Sequence, residues 1–284
     1  MITIFTIPKP FINHNAVIQK NAIKSWLELN PKCEIILFGD DYGVAETANE
    51  LGVKHIKFIE KNRFNTPLLS SAFSFAQKIA ANDILMYANS DIIFFQDLID
   101  TVRRINIPSF LICGRRWDLD IENEINFNDV FWANKLQKII IAEGKIHGLS
   151  GMDYFIFRRH SVEMLPFAVG RPGWDTWLIY DMRRRKFPVI DASEAITVVH
   201  QNHDYSHSKF GEKKRVGGPE WVENIKVAGS LTNMLTLRDA DWILNKNGLK
   251  KPPLLRRIYS LLSLWYLWRL LLAIKRKLKE FMRR

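Results

Sequence analysis

Three short polar stretches carry the side chains best suited to chemistry in this chain. Asn89-Ser90-Asp91 follows the apolar run Ile84–Ala88, and apolar character resumes at once with Ile92. This pattern predicts a buried strand that runs out into a polar turn, and in open α/β sheets ligands bind beyond the carboxyl ends of the strands. A hard divalent cation takes one or two protein carboxylates and completes its shell with phosphate oxygens and water, so a single Asp at such a place can tie an ion to a diphosphate. The plainer reading is a turn made of ordinary turn formers.

The second stretch is Gly170-Arg171-Pro172-Gly173-Trp174-Asp175-Thr176-Trp177, a Gly/Pro-rich loop feeding a helix with an acid at its start. Asp175 reads from the residues alone as an N-cap, with a tryptophan on either side of it in the stretch. The third is His200-Gln201-Asn202-His203, with His207 close behind, directly after the apolar Val198-Val199. Imidazole with carboxylate suits Mn²⁺ better than Mg²⁺. Lys209, Gly211, Lys213, Lys214, Arg215, Gly217 and Gly218 follow; they read as a basic lid over a diphosphate or as a solvated loop.

The elements that must position these groups alternate. Strands are predicted at 2–7, Glu34–Phe38, 55–59, Ile84–Ala88, 110–113 and 154–157, with short ones at 189–190 and 196–199. Helices are predicted at 15–29, Val44–Leu51, 98–105, 134–142 and 176–185, with Pro67 in the first turn of another that ends at Ala80. Two further helical patterns cover 221–231 and 239–245. Strands alternating with helices imply an α/β fold, a mostly parallel sheet covered on both faces.

With the motif at the end of the fourth strand, the chain resembles the GT-A-fold glycosyltransferases, the nucleotide-diphospho-sugar transferase superfamily, in a family-2-like form. Asn89-Ser90-Asp91 is similar to that family's Asp-x-Asp motif with Asn in first place, and the resemblance covers about residues 1–205. It implies a Rossmann-like sheet, a UDP- or GDP-sugar donor, Mn²⁺ or Mg²⁺ on Asp91, and transfer to a hydroxyl of a glycan or lipid-linked acceptor in polysaccharide biosynthesis. It implies His200 as a second metal ligand, with His203 and His207 as weaker matches, and Asp175 as the base of an inverting displacement. Asn89, Thr6, Pro8, Asp40, Arg63 and Asn65 then border the donor. Gly151-Met152-Asp153-Tyr154 matches the segment near donor sugar and acceptor, so Asp153, Trp174 and Trp177 are acceptor candidates; Arg115, Arg116 and Asp118 follow the fifth strand toward the same cleft.

Composition separates a body from a tail. The chain has 284 residues and a net charge of +11. Residues 250–284 hold eleven Lys/Arg and one acid, Glu280, so 1–249 are nearly neutral and nucleic acid is a poor partner. Within the tail, Leu254, Ile258, Leu261, Trp265, Trp268 and Leu272 share one helical stripe. Arg269 interrupts a stretch shorter than the ~20 apolar residues of a bilayer span. A C-terminal amphipathic helix lying on an anionic membrane surface is expected, with 1–249 as the glycosyltransferase-like domain and the protein peripheral on the cytoplasmic face. The N-terminus lacks a basic region and a long apolar run, so no signal peptide is expected. Cys33 and Cys113 read as small hydrophobes. A sugar-nucleotide nucleotidyltransferase is the alternative on the same fold, but Ile7-Pro8-Lys9-Pro10 is not its Gly-rich loop; a non-catalytic membrane-associated glycan-binding protein leaves Asp91, Asp175 and His200 without a joint role.

Overall fold

The computed structural model describes residues 1–203 and 216–263, together with 271, 274, 275 and 278. The metal-ligand candidate His207, the expected lid residues Lys209, Gly211, Lys213, Lys214 and Arg215, and the tail positions Trp265, Trp268 and Leu272 lie outside the described residues.

The first half alternates as its periodicity requires: β1 (Ile2–Thr6), α1 (Asn13–Leu27), β2 (Glu34–Phe38), α2 (Val44–Leu51), β3 (Lys54–Ile56), α3 (Leu69–Ile79) and β4 (Ile84–Ala88). Then come β5 (Ile92–Phe94), α4 (Asp97–Val102), β6 (Leu111–Cys113), β7 (Trp117–Leu119), α5 (Trp132–Glu143), β8 (Lys145–Ile146) and β9 (Tyr154–Arg158). The chain continues with α6 (Trp174–Arg184), β10 (Val189–Asp191), β11 (Val198–Gln201), α7 (Pro219–Val227), β12 (Trp242–Asn245), β13 (Gly248–Lys250) and α8 (Leu254–Ser263). Among the described residues the strands form a large sheet, ordered β13-β12-β10-β6-β9-β4-β1-β2-β3, and a small one, β5-β11-β7-β8.

The large sheet is mostly parallel. Strand β9 runs antiparallel between β4 and β6, and β13 antiparallel to β12. Both faces are covered, so β1 reads as an unbroken apolar-and-Thr run rather than an alternating one. Successive residues point to opposite faces: Phe5 enters one core with Phe73, Tyr87 and Phe157, while Ile4 enters the other with Ala22, Trp26 and Met86. Phe5 meets Phe73 edge-on at 5.0 Å between ring centres, and Phe73 stacks on Phe157 at 5.5 Å. Removing such a ring from a packed core costs about 3–5 kcal/mol.

Two registers place the motifs. Strand β11 pairs antiparallel with β5, setting His200 opposite Ile92, and parallel with β7, setting His200 opposite Asp118. Asp91, one residue before β5, is thereby carried to His200. Ala88 of β4 pairs with Tyr154 of β9, so Asn89 meets Asp153 just beyond, its N–H donating to the Asp153 carbonyl at 2.9 Å.

Two expectations need correction. Pro67 does not open a helix. It forms an isolated bridge with Lys61, Leu68 bridges Ala168, and α3 starts at Leu69. A proline has no N–H to give but its carbonyl can accept, and here it accepts from Val169 N–H at 3.0 Å. Residues 239–245 are not a helix either. A Thr236–Asp239 capping box closes one 3₁₀ turn at Leu237–Asp239, and β12 follows. Its short apolar core, Ile243-Leu244, fits either period; the open side of β10 decides, pairing Ile190 with Trp242 and Asp191 with Ile243.

Candidate active site

The C-terminal ends of β1 and β4, the start of β9, the loop before α6 and the end of β11 surround one cavity of about 400 Å³. Pro8, Asn65, Asn89, Asp91, Asp153, Trp174, Asp175 and His200 all line it. The other expected site residues lie elsewhere. Thr6 is fully buried in β1 behind the cavity. Asp40 is exposed and pairs with Lys61 at 2.6 Å, Arg63 reaches out to Glu223, and Trp177 packs against Phe167 in the core at 5.1 Å. Asp118 and Arg115 stand behind the wall, and Arg116 lines it.

At one corner Asp91, His200 and His203 bring ligand atoms within 4.8 Å of one another. Asp91 is 5% exposed, and its Oδ1 is buried without a hydrogen-bond partner. Its Oδ2 lies 3.1 Å from His203 Nε2 and 3.6 Å from Lys9 Nζ. Burial raises the Asp91 carboxyl, but the His203 hydrogen bond and the charges of Lys9 and His200 outweigh it and hold it well below the usual range. Burial likewise lowers His200, while Asp118 and Asp91 outweigh it and raise it. A histidine raised by two carboxylates marks a place where positive charge is favoured, and a bound cation supplies that charge as well as a proton does. The orphaned carboxylate oxygen and the paired imidazoles fit a borderline divalent ion such as Mn²⁺.

Behind this corner, His200 Nδ1 lies 3.3 Å from Asp118 Oδ1, off the hydrogen-bonding line. The Asp118 Oδ2 lies 2.7 Å from His147 Nδ1. Arg116 donates through Nε to Asp118 at 2.8 Å and through a terminal nitrogen to Asp153. Asn89 Nδ2 donates to the other Asp153 oxygen at 2.6 Å. Asp153, placed by sequence near the acceptor, is therefore fixed by two neighbours.

Asp175 lies on another wall. Gly173, at φ +118, is the N-cap of α6, a conformation that favours glycine. Asp175 therefore sits inside the first turn rather than at the cap, its Oδ1 3.4 Å from Gly173 N. Burial, reinforced by the Asp153 charge, pushes its carboxyl up to about 6 despite nearby backbone N–H groups. A carboxylate with a pKa near operating pH suits a general base.

Sequence reasoning missed three groups. Lys9 and Asp41 line the cavity from loops in which the sequence singled out only their neighbours Pro8 and Asp40. Glu220, 2% exposed in α7, accepts from Arg171 Nε at 2.9 Å and a terminal nitrogen at 2.6 Å, and from Asn62 Nδ2 at 3.1 Å. One turn on, Asn224 binds both backbone groups of Ala168 and the carbonyl of Arg171. This i,i+4 pair on α7 fixes the 168–171 loop and ties it, through Glu220, to Asn62 in the loop beside it. A Glu and an Asn on one stripe of a helix that should bury apolar groups was the available signal.

No protein-family model and no curated protein matches the chain. Solved structures do resemble it. A mannosyltransferase from Pyrobaculum calidifontis in complex with GDP-Man and Mn²⁺ is 11% identical, with a TM-score of 0.47 over 72% of this chain and 58% of that one. Glucosyl-3-phosphoglycerate synthase from Mycobacterium tuberculosis, with Mn²⁺, UDP and phosphoglyceric acid, is 15% identical, at 0.47 over 81% and 79%. S. aureus TarS with UDP-GlcNAc is 12% identical, at 0.49 over 80% and 65%. The chain thus spans less than two thirds of the mannosyltransferase and of TarS. At these values the likeness decides nothing about chemistry, which is read from the cavity; the chain is an α/β protein similar in its course to these structures.

Proposed function

We propose that this protein is a metal-dependent glycosyltransferase that moves a sugar from a UDP- or GDP-sugar to an acceptor hydroxyl of a glycan or a lipid-linked carrier. The carrying observation is the buried Asp91–His200–His203 corner with its unpartnered carboxylate oxygen, opening into the same cavity as Asp175. Asp91, His200 and His203 would hold Mn²⁺ or Mg²⁺, which as a Lewis acid neutralises charge on the leaving diphosphate. Asp175 takes the acceptor proton, its raised pKa making it basic enough to do so near neutrality. Trp174 forms an apolar wall beside it, and Asp153, fixed by Arg116 and Asn89, orients sugar hydroxyls. An inverting displacement follows from a base on the acceptor side without a second nucleophilic carboxylate in the assignment.

The tail is part of this reading, but the body runs past 249, because β13 (Gly248–Lys250) crosses that boundary and pairs with β12. Helix α8 is held at its start: Arg256 donates to Asp191 at 2.9 Å, and Ser260 Oγ to the Asp239 carbonyl at 3.1 Å. Leu254, Leu255, Ile258 and Leu261 remain exposed. Among the described residues no helix is long and apolar enough to cross a membrane. An exposed Leu/Ile face leading into a basic segment supports in-plane docking on an anionic lipid surface.

The test is a binding panel of UDP-, GDP-, CMP- and dTDP-sugars with and without Mn²⁺. Affinity for one donor that requires Mn²⁺ supports the reading; absence of metal-dependent binding to every donor refutes it.

A further inference from the structure

Lys9 sits between two prolines, Pro8 and Pro10, in the loop after β1. Proline fixes φ at its own position and restricts the residue before it, so little of this loop is free. Gln19, fully buried in α1, completes the hold: its Oε1 accepts the Lys9 N–H at 2.7 Å and its Nε2 donates to the Lys9 carbonyl at 3.0 Å. The same Oε1 accepts from Ser90 Oγ at 2.7 Å, so Lys9 is registered against the residue next to Asp91. The Lys9 ammonium rests 3.1 Å from His203 Nε2 and 3.6 Å from Asp91 Oδ2.

One imidazole nitrogen carries either a proton or a lone pair. His203 Nε2 cannot donate to Asp91, accept from Lys9 and coordinate an ion at once, so an ion taken by Asp91 and His203 must displace the ammonium. Among the described cations lining the cavity, the two arginines are committed. Arg116 bridges Asp118 and Asp153, and Arg171 is gripped by Glu220. The partners of Lys9 are the groups the ion would claim.

Resting on the metal-dependent reading above, we propose that Lys9 is an exchangeable counter-cation: it neutralises the Asp91–His203 pair until a divalent ion takes them, and then binds the diphosphate of the donor. The ion and the ammonium compete for Asp91 but cooperate on the anion, so metal and nucleotide bind more tightly together than apart.

The experiment uses the full chain and its Lys9→Met and Lys9→Gln variants, with thermal melts to establish folding. Mn²⁺ binding alone is followed from the paramagnetic resonance signal of the free ion, and UDP and GDP binding by calorimetry with and without Mn²⁺. Both variants should bind Mn²⁺ alone on the order of tenfold more tightly and the diphosphate with Mn²⁺ on the order of tenfold more weakly, the scale of one partly desolvated charge contact. Unchanged Mn²⁺ and diphosphate affinities in folded variants, with metal-dependent binding still lost in Asp91→Ala, would overturn the role of Lys9 and leave the functional reading standing. Failure of the unaltered chain to bind Mn²⁺ or either diphosphate in any arm would overturn both.

Discussion

Two corners of the same cavity are built from buried charge in opposite ways. At one, Glu220 is 2% exposed and both its oxygens are engaged, by Arg171 and Asn62, while Asn224 is satisfied by three backbone groups. At the other, Asp91 is 5% exposed and one oxygen has no partner. Among the described residues lining the cavity, orphaned buried atoms occur only at Asp91 and His200. Buried polar groups in folded proteins are nearly always paired, and an orphan calls for an explanation such as a ligand. The Glu220 corner is finished by the chain and serves as architecture; the Asp91 corner leaves bonds to be made by something that arrives.

The largest effect expected from this contrast is at Asp91. Asp91→Ala should abolish Mn²⁺-dependent donor binding, and because a carboxyl held below its usual range favours the folded state while it is ionised, the variant should also melt lower at pH 7. Calorimetric titration of the donor with and without Mn²⁺ decides it. Undiminished metal-dependent affinity would erase the distinction between the corners.

Next is Asp175. A positioned base contributes about 10²–10⁴-fold, so Asp175→Asn should retain donor binding and lose transfer by that order in a product assay. The pH profile sharpens this. With the carboxyl pushed up to about 6, the base is protonated and transfer falls as pH drops through 6. The stability sign is the opposite. A carboxyl whose pKa is raised by folding favours the folded state only while protonated, so that contribution is lost as pH rises from the ordinary value of 3.8 through about 6. Asp175→Asn should therefore melt higher than the unaltered chain at pH 8. A variant that melts lower at pH 8 would overturn the raised pKa, and a product that keeps the donor's anomeric configuration would refute the inverting assignment even if Asp175 proved essential.

Glu220 should behave in reverse, costing stability rather than chemistry. Removing one partner of a buried ion pair costs about 3–5 kcal/mol; Glu220→Ala should fall toward the lower end, since the Arg171 side chain keeps 16% exposure. Urea unfolding measures it. The remaining folded protein should bind Mn²⁺ with unaltered affinity, and a lost metal site would mean that the two corners are one unit.

How much of this was legible in the sequence follows from range. Glu34–Phe38 and Ile84–Ala88 are strands over the residues that their apolar runs predict. Asn89, Asp91, Asp175 and His200 were visible because each directly follows or opens such an element. What sequence did not disclose depends on partners far along the chain. Pro67 is extended because Ala168 and Val169 lie beside it, and 242–245 is a strand because β10 has an open side. Lys9 acquires its meaning from Asp91 and His203, brought to it by the β1–β4 and β5–β11 pairings. Glu220 lies just ahead of the helical pattern predicted at 221–231, and its role comes from Arg171 and Asn62, far from it in sequence.

The smallest effect on the cavity should come from the tail. Residues 264–284 carry seven Lys/Arg and one Glu, yet the contacts that seat α8 on the body are made by Arg256 and Ser260, before that segment begins. A cut after Gly248 would break the hairpin, since Gly248 pairs with Asn245 and Lys250 with Ile243, and would remove Arg256 from Asp191. A cut after Ser263 spares both. Each basic residue near an anionic surface contributes about 1 kcal/mol, an attraction that salt screens within about 10 Å at 0.1 M. The full chain should therefore sediment with phosphatidylserine-rich vesicles at low salt and be largely released at high salt. The chain ending at Ser263 should stay in the supernatant at both, with donor and Mn²⁺ affinities unchanged. Salt-resistant sedimentation that needs detergent would replace electrostatic docking with insertion. A weakened donor site in the shortened chain would mean that the tail reaches the cavity and that a third region must join the comparison.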